Sequence, residues 1–260
     1  MAQELPYPPL EMRKLVGPTE LEPFDNPSGD LIYDCLPPEA YQSVFDFGCG
    51  CGRNARKLIQ QKVRPEKYVG IDLHGGMIKW CQENLTPLAN EFTFSHHDVF
   101  NAGFNPASTK QFEPFPVPDD SFSLIITHSV FTHLVEEVVV DYLKECARIL
   151  KPDGYFFSTW FLFDKQYFPM MQEFQHALYI NSIDPTNAVI YDHNWLYRIT
   201  QEVGLTPTFV VKPRIRGYQW IVIFRPAGLG LPPCELGVDD AEFGVLPPPA
   251  DVADAHLIGV

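Results

Sequence analysis

The stretch Ser43-Val-Phe-Asp-Phe-Gly-Cys-Gly-Cys-Gly-Arg53 decides the fold of this chain of 260 residues. A short apolar run enters a turn with glycine at positions 48, 50 and 52, and from Arg53 the apolar residues recur at helical spacing. Because glycine has no Cβ, the backbone can turn sharply there and a ligand can approach the main chain closely. A strand that enters a helix through such a turn directs unpaired N–H groups into one crevice. The stretch therefore predicts a nucleotide site.

The spacing of the glycines separates two kinds of nucleotide site. A dinucleotide fingerprint has its third glycine three residues after the second, and that place holds Arg53. Here the glycines alternate, and Asp46 precedes them by two residues. This order resembles the first motif of class I S-adenosylmethionine-dependent methyltransferases, an acidic residue ahead of Gly-x-Gly-x-Gly. The implied cofactor, S-adenosyl-L-methionine, has an ammonium group that an acid at the mouth of the site can hold, and no pyrophosphate.

Two further acids follow apolar runs at similar intervals. Asp72 comes directly after Lys67-Tyr-Val-Gly-Ile71, a run typical of a buried parallel strand, and an acid there can accept both ribose hydroxyls. A third predicted strand, Phe92-Thr-Phe-Ser-His-His97, is followed by Asp98-Val99, which by resemblance contact adenine. The resemblance implies that the cofactor is held by Asp46, Gly48, Gly50, Gly52, Arg53, Asp72, Leu73, Asp98, Val99 and His128.

The rest of the core alternates strand and helix signals, which is typical of a parallel sheet with helices on both faces. The segments "VFTHL" at 130–134 and "ARILKPDGYFF" at 147–157 are similar to passages of small-molecule and sugar methyltransferases of this class. The fold class that follows is α/β, with a Rossmann-like sheet of seven strands. The resemblance implies that the sheet is mostly parallel, with an antiparallel last strand between the fifth and the sixth.

The chain divides into three parts by composition. Residues 1–42 are rich in proline and acids, and we expect a cap or lid over the cofactor cleft that contains Arg13, Phe24 and Asn26; a disordered leader is the alternative. Residues 43–225 are the predicted methyltransferase core, with a helical insert at about 164–192 that either packs in the core or walls the acceptor site. Residues 226–260 are rich in proline and acids and predict a tail without regular structure, or one that wraps the core or a partner subunit of a homodimer.

Charge and length exclude several partners. The formal charge of 19 − 33 = −14, with no basic run, disfavours nucleic acid, whose binding depends on Lys and Arg. No apolar run is long enough to span a bilayer, and the first residues lack the pattern of a secretory signal, so we expect a cytoplasmic protein without a membrane partner. A single residue separates Cys49 from Cys51, which is shorter than the usual spacing of zinc ligands. We interpret both as small side chains that fit a crowded turn, in a protein of a reducing compartment.

The segment after the fourth predicted strand, His128-Ser-Val-Phe-Thr-His133, is where the resemblance places acceptor contacts. A hydroxyl acceptor must lose a proton, and imidazole titrates near neutral pH, so His128 and His133 are the candidate bases. Each also has a plain structural alternative, His128 as a backbone contact and His133 as a partner of a loop. The paired His96 and His97 point to opposite faces of a strand, and no metal is expected.

The sequence thus predicts methyl transfer to a hydroxyl of a small molecule or glycan sugar. Three alternatives stay open: N-methylation of a small molecule, cofactor binding without catalysis, and a nicotinamide-dependent oxidoreductase on a similar sheet.

Overall fold

The computed structural model of this protein describes residues 5–181, 183–214 and 217–237. The strands in this part of the chain are β1 (Ser43–Phe47), β2 (Lys67–Asp72), β3 (Phe92–His96), β4 (Phe122–Thr127), β5 (Leu150–Phe163), β6 (Ala177–Tyr179), β7 (Val189–Asp192), β8 (Leu205–Val211) and β9 (Trp220–Pro226). The α-helices are α1 (Leu10–Leu15), α2 (Arg53–Gln60), α3 (Gly75–Asn84), α4 (Glu136–Ile149) and α5 (His193–Glu202). None of these helices is both long enough and apolar enough to cross a membrane.

Seven of the strands form one sheet in the order β3-β2-β1-β4-β5-β9-β8. Neighbouring strands from β3 to β5 are parallel, whereas β9 is antiparallel to both β5 and β8. The predicted Rossmann-like α/β fold is therefore confirmed, including the antiparallel last strand between the fifth and the sixth strands of this sheet. The carboxyl ends of β1 to β5 all meet at one edge, which we call the carboxyl edge.

The core has two layers, one on each face of the sheet. Along β1 the side chains alternate, so that Phe45 belongs to one apolar cluster and Val44 to the other. Helices α4 and α5 cover the first face, with Leu143 and Leu196 fully buried there, and α2 and α3 cover the second. Helices thus lie on both faces, as the sequence predicts.

The prediction that the insert at about 164–192 is helical is wrong. This segment contains the antiparallel hairpin of β6 and β7 with two short 3-10 turns, and β7 pairs in parallel with the end of β5. β-prone residues in both strands and Pro185 between them disfavour a helix here. Core packing is wrong for Met170 and Phe174, which expose 88% and 76% of their surface, whereas Val189 and Tyr191 of the same segment are buried in the core.

The N-terminal segment is fastened to the core by Arg56 on α2. The buried guanidinium of Arg56 donates to the backbone carbonyls of Leu5, Pro6 and Phe24 at 2.8–3.1 Å and pairs with the Asp25 carboxylate. The Tyr7 ring stacks on the guanidinium at 3.7 Å, and its hydroxyl donates to Asp25. One side chain of α2 therefore binds both the beginning and the end of residues 5–25.

The C-terminal segment continues along β8 after β9 ends. The backbone N–H of Cys234 donates to the carbonyl of Pro207 at 2.7 Å, and Leu236 is 2% exposed. The remainder of the predicted tail, 238–260, lies outside the described residues.

Removing the Arg56 clamp tests the attachment of the N-terminal segment. Arg56→Ala should lower the free energy of unfolding by about 3 kcal/mol, because it leaves a carboxylate and three carbonyls without their partner. Urea denaturation measures the change. The matched control is Arg64→Ala, whose ion pair with Glu91 is half-exposed, with an expected loss within about 1 kcal/mol. Equal losses for the two variants would contradict the clamp.

Candidate functional site

The glycine turn between β1 and α2 is left-handed at all three glycines. Gly48, Gly50 and Gly52 have φ of 80°, 54° and 80°, which side chains with a Cβ rarely adopt. A Cβ would lie 2.4 Å from Val130 at Gly48 and 2.8 Å from Val16 at Gly50. The sequence predicts that a ligand approaches this turn closely; in the structure, side chains from the N-terminal segment and from the segment after β4 pack on it.

The backbone of the turn is bonded to the end of β2. The N–H groups of Gly48 and Cys49 both donate to the carbonyl of Ile71, at 2.8 and 3.1 Å. The N–H of Gly50 donates to Oδ2 of Asp72 at 2.8 Å, and the N–H of His74 donates to Oδ1 of the same carboxylate at 2.7 Å. Burial raises the pKa of Asp72, and these two donors partly offset the rise.

Asp72 is half-exposed at the carboxyl edge, and each of its oxygens has a further lone pair. Its carboxylate therefore fixes the turn and can still accept hydroxyl groups. Leu73, which follows it, is half-buried, and its carbonyl lies 2.9 Å from Nε2 of His96.

Asp46 is fully buried, whereas the sequence places an acid at the mouth of the site. Oδ2 of Asp46 accepts from the Tyr68 hydroxyl at 2.7 Å, and Oδ1 has no hydrogen-bond partner among the residues that the structure describes. Burial raises the pKa of Asp46 to about 6. A buried oxygen without a hydrogen-bond partner lowers the stability of the fold, so its presence needs an explanation.

Asp98 and Val99 follow β3 at the same edge. Asp98 is exposed, and its Oδ1 accepts from Nδ2 of Asn105 at 3.0 Å, which lowers the pKa of Asp98. The same amide nitrogen donates to the Val99 carbonyl, and the Val99 side chain is buried. Asp46, Asp72 and Asp98 thus lie at or just beyond the ends of three neighbouring strands, and their exposure increases from β1 to β3.

His128 lies at the carboxyl edge, within electrostatic range of Arg53. His128 follows β4, and its ring centroid lies 6.4 Å from that of Phe157. Burial, together with the positive charges of Arg53 and Lys57, lowers the pKa of His128 to about 3. The imidazole is therefore neutral at pH 7.

His133 ends the 3-10 turn after β4, and its Nδ1 lies 3.0 Å from the carbonyl oxygen of Thr186 in the insert. A carbonyl only accepts, so Nδ1 carries the proton and Nε2 of the neutral ring has a free lone pair. The bond also joins the segment after β4 to the insert. A hydrogen bond from His133 to a neighbouring loop is the structural alternative that the sequence leaves open.

Sequence reasoning missed the groups that support these side chains. Tyr68 under Asp46, Asn105 beside Asp98 and Val130 against Gly48 come from other elements, and no local pattern indicates them. A grouping of Asp164, Asp192 and His193 was also missed, with possible ligand atoms within 4.8 Å of one another. Each carboxylate oxygen there already accepts from a nearby donor, and Asp192 caps α5, a role that the pattern Asp-His-Asn-Trp before a helix indicates.

Residues 45–158 match the methyltransferase domain family. This match spans the glycine turn, the three acids and β4 to β5, the same part of the chain that forms the carboxyl edge. Residues 45–158 are therefore a class I S-adenosylmethionine-dependent methyltransferase domain. S-Adenosyl-L-methionine is its cofactor, and the oxidoreductase alternative is set aside.

Relatives of this methyltransferase domain differ in their acceptors. The fatty-acid O-methyltransferase of Mycolicibacterium smegmatis is 29% identical over 116 residues, 45% of this chain and 36% of that protein. The tRNA N(3)-cytidine methyltransferase METTL2 of Mus musculus is 23% identical over 154 residues, 58% of this chain and 35% of that protein. The chain thus spans about a third of the length of these two curated relatives.

The solved structure of the O-methyltransferase NcsB1 from neocarzinostatin biosynthesis, in complex with S-adenosylmethionine and a naphthoic acid, has a TM-score of 0.51 to this chain. It is 14% identical and covers 74% of this chain and 51% of that chain. At this identity the similarity concerns the fold alone.

The residues at the carboxyl edge of this methyltransferase domain fit the cofactor. Oδ1 of Asp46 lacks a partner, Asp72 keeps lone pairs beside a glycine turn, and the buried Val99 adjoins an exposed acid. The turn itself offers little open space in this structure, because Val16 and Val130 lie against its glycines.

The buried charge of Asp46 predicts a pH-dependent stability. Because the pKa rises from 3.8 in the unfolded chain to about 6 in the fold, only the folded chain holds this proton between those values. The resulting stability is complete below about pH 4 and is lost as the pH rises through about 6, a change of about 3 kcal/mol. Asp46→Asn has no such charge. The free energy of unfolding of this variant minus that of the wild type should therefore increase by about 3 kcal/mol from pH 4 to pH 7.

Urea denaturation across this pH range measures the difference. Asp98→Asn is the control, because Asp98 is exposed and its pKa is lowered, so its difference should not increase with pH. A flat difference for Asp46→Asn would contradict the buried ionised state.

Proposed function

We propose that this protein transfers a methyl group from S-adenosyl-L-methionine to an oxygen atom of a small molecule. The observation that carries the proposal is the meeting of Asp46, Asp72 and Asp98 around a left-handed glycine turn at one sheet edge. The match to the methyltransferase domain family over the same residues supports it.

In this proposal the three acids and Arg53 hold the donor. Asp72 accepts the ribose hydroxyls with its remaining lone pairs, and Asp98 with Val99 holds the adenine. Arg53, at the first position of α2, takes the carboxylate of the donor, and Asp46 attracts its ammonium group. The glycines at 48, 50 and 52 give the turn the shape that places these groups together.

When bound, S-adenosyl-L-methionine supplies a sulfonium methyl group that an acceptor atom attacks in line. The protein's task is to align the acceptor and to exclude water. We assign water exclusion to the N-terminal segment 1–42 as a cap, since Val16 already contacts the glycine turn. We assign the acceptor wall to the insert at about 164–192, since Thr186 bonds to both His133 and Asn101 beside the carboxyl edge.

The two histidines have different capacities as bases. A group whose pKa is about 3 accepts a proton poorly at pH 7, so His128 is suited to contact and orientation. Nε2 of His133 has a free lone pair in the neutral ring, and we propose it as the base for a hydroxyl acceptor. The sequence alone does not indicate that His133 is the better base of the two.

A small-molecule acceptor agrees with the formal charge of −14, which would repel a phosphate backbone. Oxygen as the acceptor atom agrees with the mycobacterial relative, which is a fatty-acid O-methyltransferase. Nitrogen is the second candidate, favoured by the similarity to METTL2. Cofactor binding without catalysis is the third.

The six cysteines are all free thiols. This supports our proposal of a reducing compartment such as the cytoplasm. The homodimer that the sequence leaves open, and a tail that wraps the core, stay predictions.

Isothermal titration with S-adenosylmethionine and its demethylated product tests the donor site. Asp72→Ala should weaken binding of both by roughly tenfold to a hundredfold, because charge-assisted hydrogen bonds to the ribose are lost. Asp153→Ala is the control, since Asp153 lies near the opposite end of β5. An unchanged dissociation constant for Asp72→Ala would contradict the ribose assignment, and no binding to the wild type would refute the proposed function.

A further inference from the structure

Two positive side chains lie one turn apart on α2 without an acidic partner. Arg53 and Lys57 are an i, i+4 pair, which places them on the same face of the helix. Both are half-buried, and within residues 5–181, 183–214 and 217–237 neither forms an ion pair.

An aromatic stack links the segment after β4 to α2, the helix that carries the two cations, and the charges of both act on His128. The Phe157 ring stacks on Tyr33 at 3.9 Å and lies 6.4 Å from His128. The Tyr33 hydroxyl reaches Oδ1 of Asn54, the residue after Arg53, at 3.5 Å. This aromatic stack connects the segment after β4 to the first turn of α2. Burial, and the charge of Arg53, lower the pKa of Lys57, so its charge is costly where it stands.

Two like charges at this spacing destabilise the helix, and partial burial without a partner adds to the cost. An anion bound between α2 and His128 would remove both costs. The donor has a single carboxylate, which the proposed function assigns to Arg53. Asp46 also attracts Arg53, since the charge of Arg53 lowers the pKa of that carboxyl group against the rise from burial. Lys57 is left for a second anionic group.

We propose that the acceptor is a carboxylic acid, and that Lys57 binds its carboxylate next to His128 for methylation on oxygen. This inference rests on the proposed function and narrows its substrate class. The new bond forms between a carboxylate oxygen and the methyl carbon, while the carbon–sulfur bond breaks and its electron pair stays on sulfur. The products are a methyl ester and a thioether, and no proton moves.

A carboxylate acceptor also explains the state of His128. A carboxylate is already ionised at pH 7 and needs no base, in contrast to a hydroxyl. The neutral imidazole of His128 is then a hydrogen-bond donor to the bound carboxylate, and its low pKa is no disadvantage.

Binding without turnover is the first test. Decanoate and benzoate are titrated into the full chain saturated with S-adenosylhomocysteine, for the wild type, Lys57→Gln, Lys57→Arg and Lys62→Gln. We expect at least one acid to bind, with affinity lowered about tenfold or more by Lys57→Gln and within about threefold for Lys57→Arg. Lys62→Gln removes the same charge from an exposed site and should bind as the wild type does. Equal affinity of the wild type and Lys57→Gln, or no binding of either acid, would overturn the inference.

Turnover with matched acceptors is the second test. Decanoic acid and benzoic acid are compared with decanol and benzyl alcohol, and the products are identified by mass and by hydrolysis in alkali, which cleaves an ester and spares an ether. Esters from the acids without ethers from the alcohols would support the inference. Ethers alone would overturn it and leave the proposed function standing, whereas loss of donor binding in the wild type would refute both.

Discussion

The structure depends on the bonds between the glycine turn and the end of β2. The carbonyl of Ile71 accepts two N–H groups of the turn, and the Asp72 carboxylate accepts a third. Because β1 and β2 are parallel neighbours, this connection sets the position of α2 relative to the sheet. The same carboxylate accepts from His74 and so sets the start of α3. Asp72 therefore orients both α2 and α3. In the proposed function the same carboxylate also binds the ribose, so one side chain has both a structural role and a ligand-binding role.

The sequence predicts those parts of the site that repeat along the chain. Apolar runs, glycine spacing and an acid after each run are local patterns, and the place of the antiparallel strand follows from the resemblance to the methyltransferase class. The burial of Asp46 could not be predicted, because it depends on Tyr68 from the neighbouring strand. The prediction of a helical insert was wrong for a similar reason, because β7 forms by pairing with the far end of β5, which is a non-local contact. The sequence also does not show whether an apolar residue such as Met170 is buried or exposed.

Arginine on α2 shows how residue type alone misleads. Arg53 and Arg56 stand three residues apart in one helix, and a helix arginine is usually solvated. Arg56 is instead buried under residues 5–25, where it satisfies carbonyls that have no place in the sheet. Arg53 faces the carboxyl edge without an ion-pair partner in the part of the chain that the structure describes. One helix thus both anchors the N-terminal segment and carries a positive charge at the carboxyl edge, and Val16 of that segment lies against the glycine turn.

The two edges of the sheet differ in how completely their polar groups are satisfied. At the amino edge, buried Ser43 and Ser123 exchange backbone and hydroxyl hydrogen bonds at 2.8–2.9 Å. At the carboxyl edge, Oδ1 of Asp46 and Oγ1 of Thr132 are buried without partners within the described ranges, and Ser129 has a φ of 58°. Strain and unpaired polar atoms of this kind lower stability and persist where function requires them. The fold is therefore stabilised from the amino edge and from the two helical layers, which offset the cost of keeping charged and polar groups available at the edge where the cofactor and the acceptor are proposed to meet.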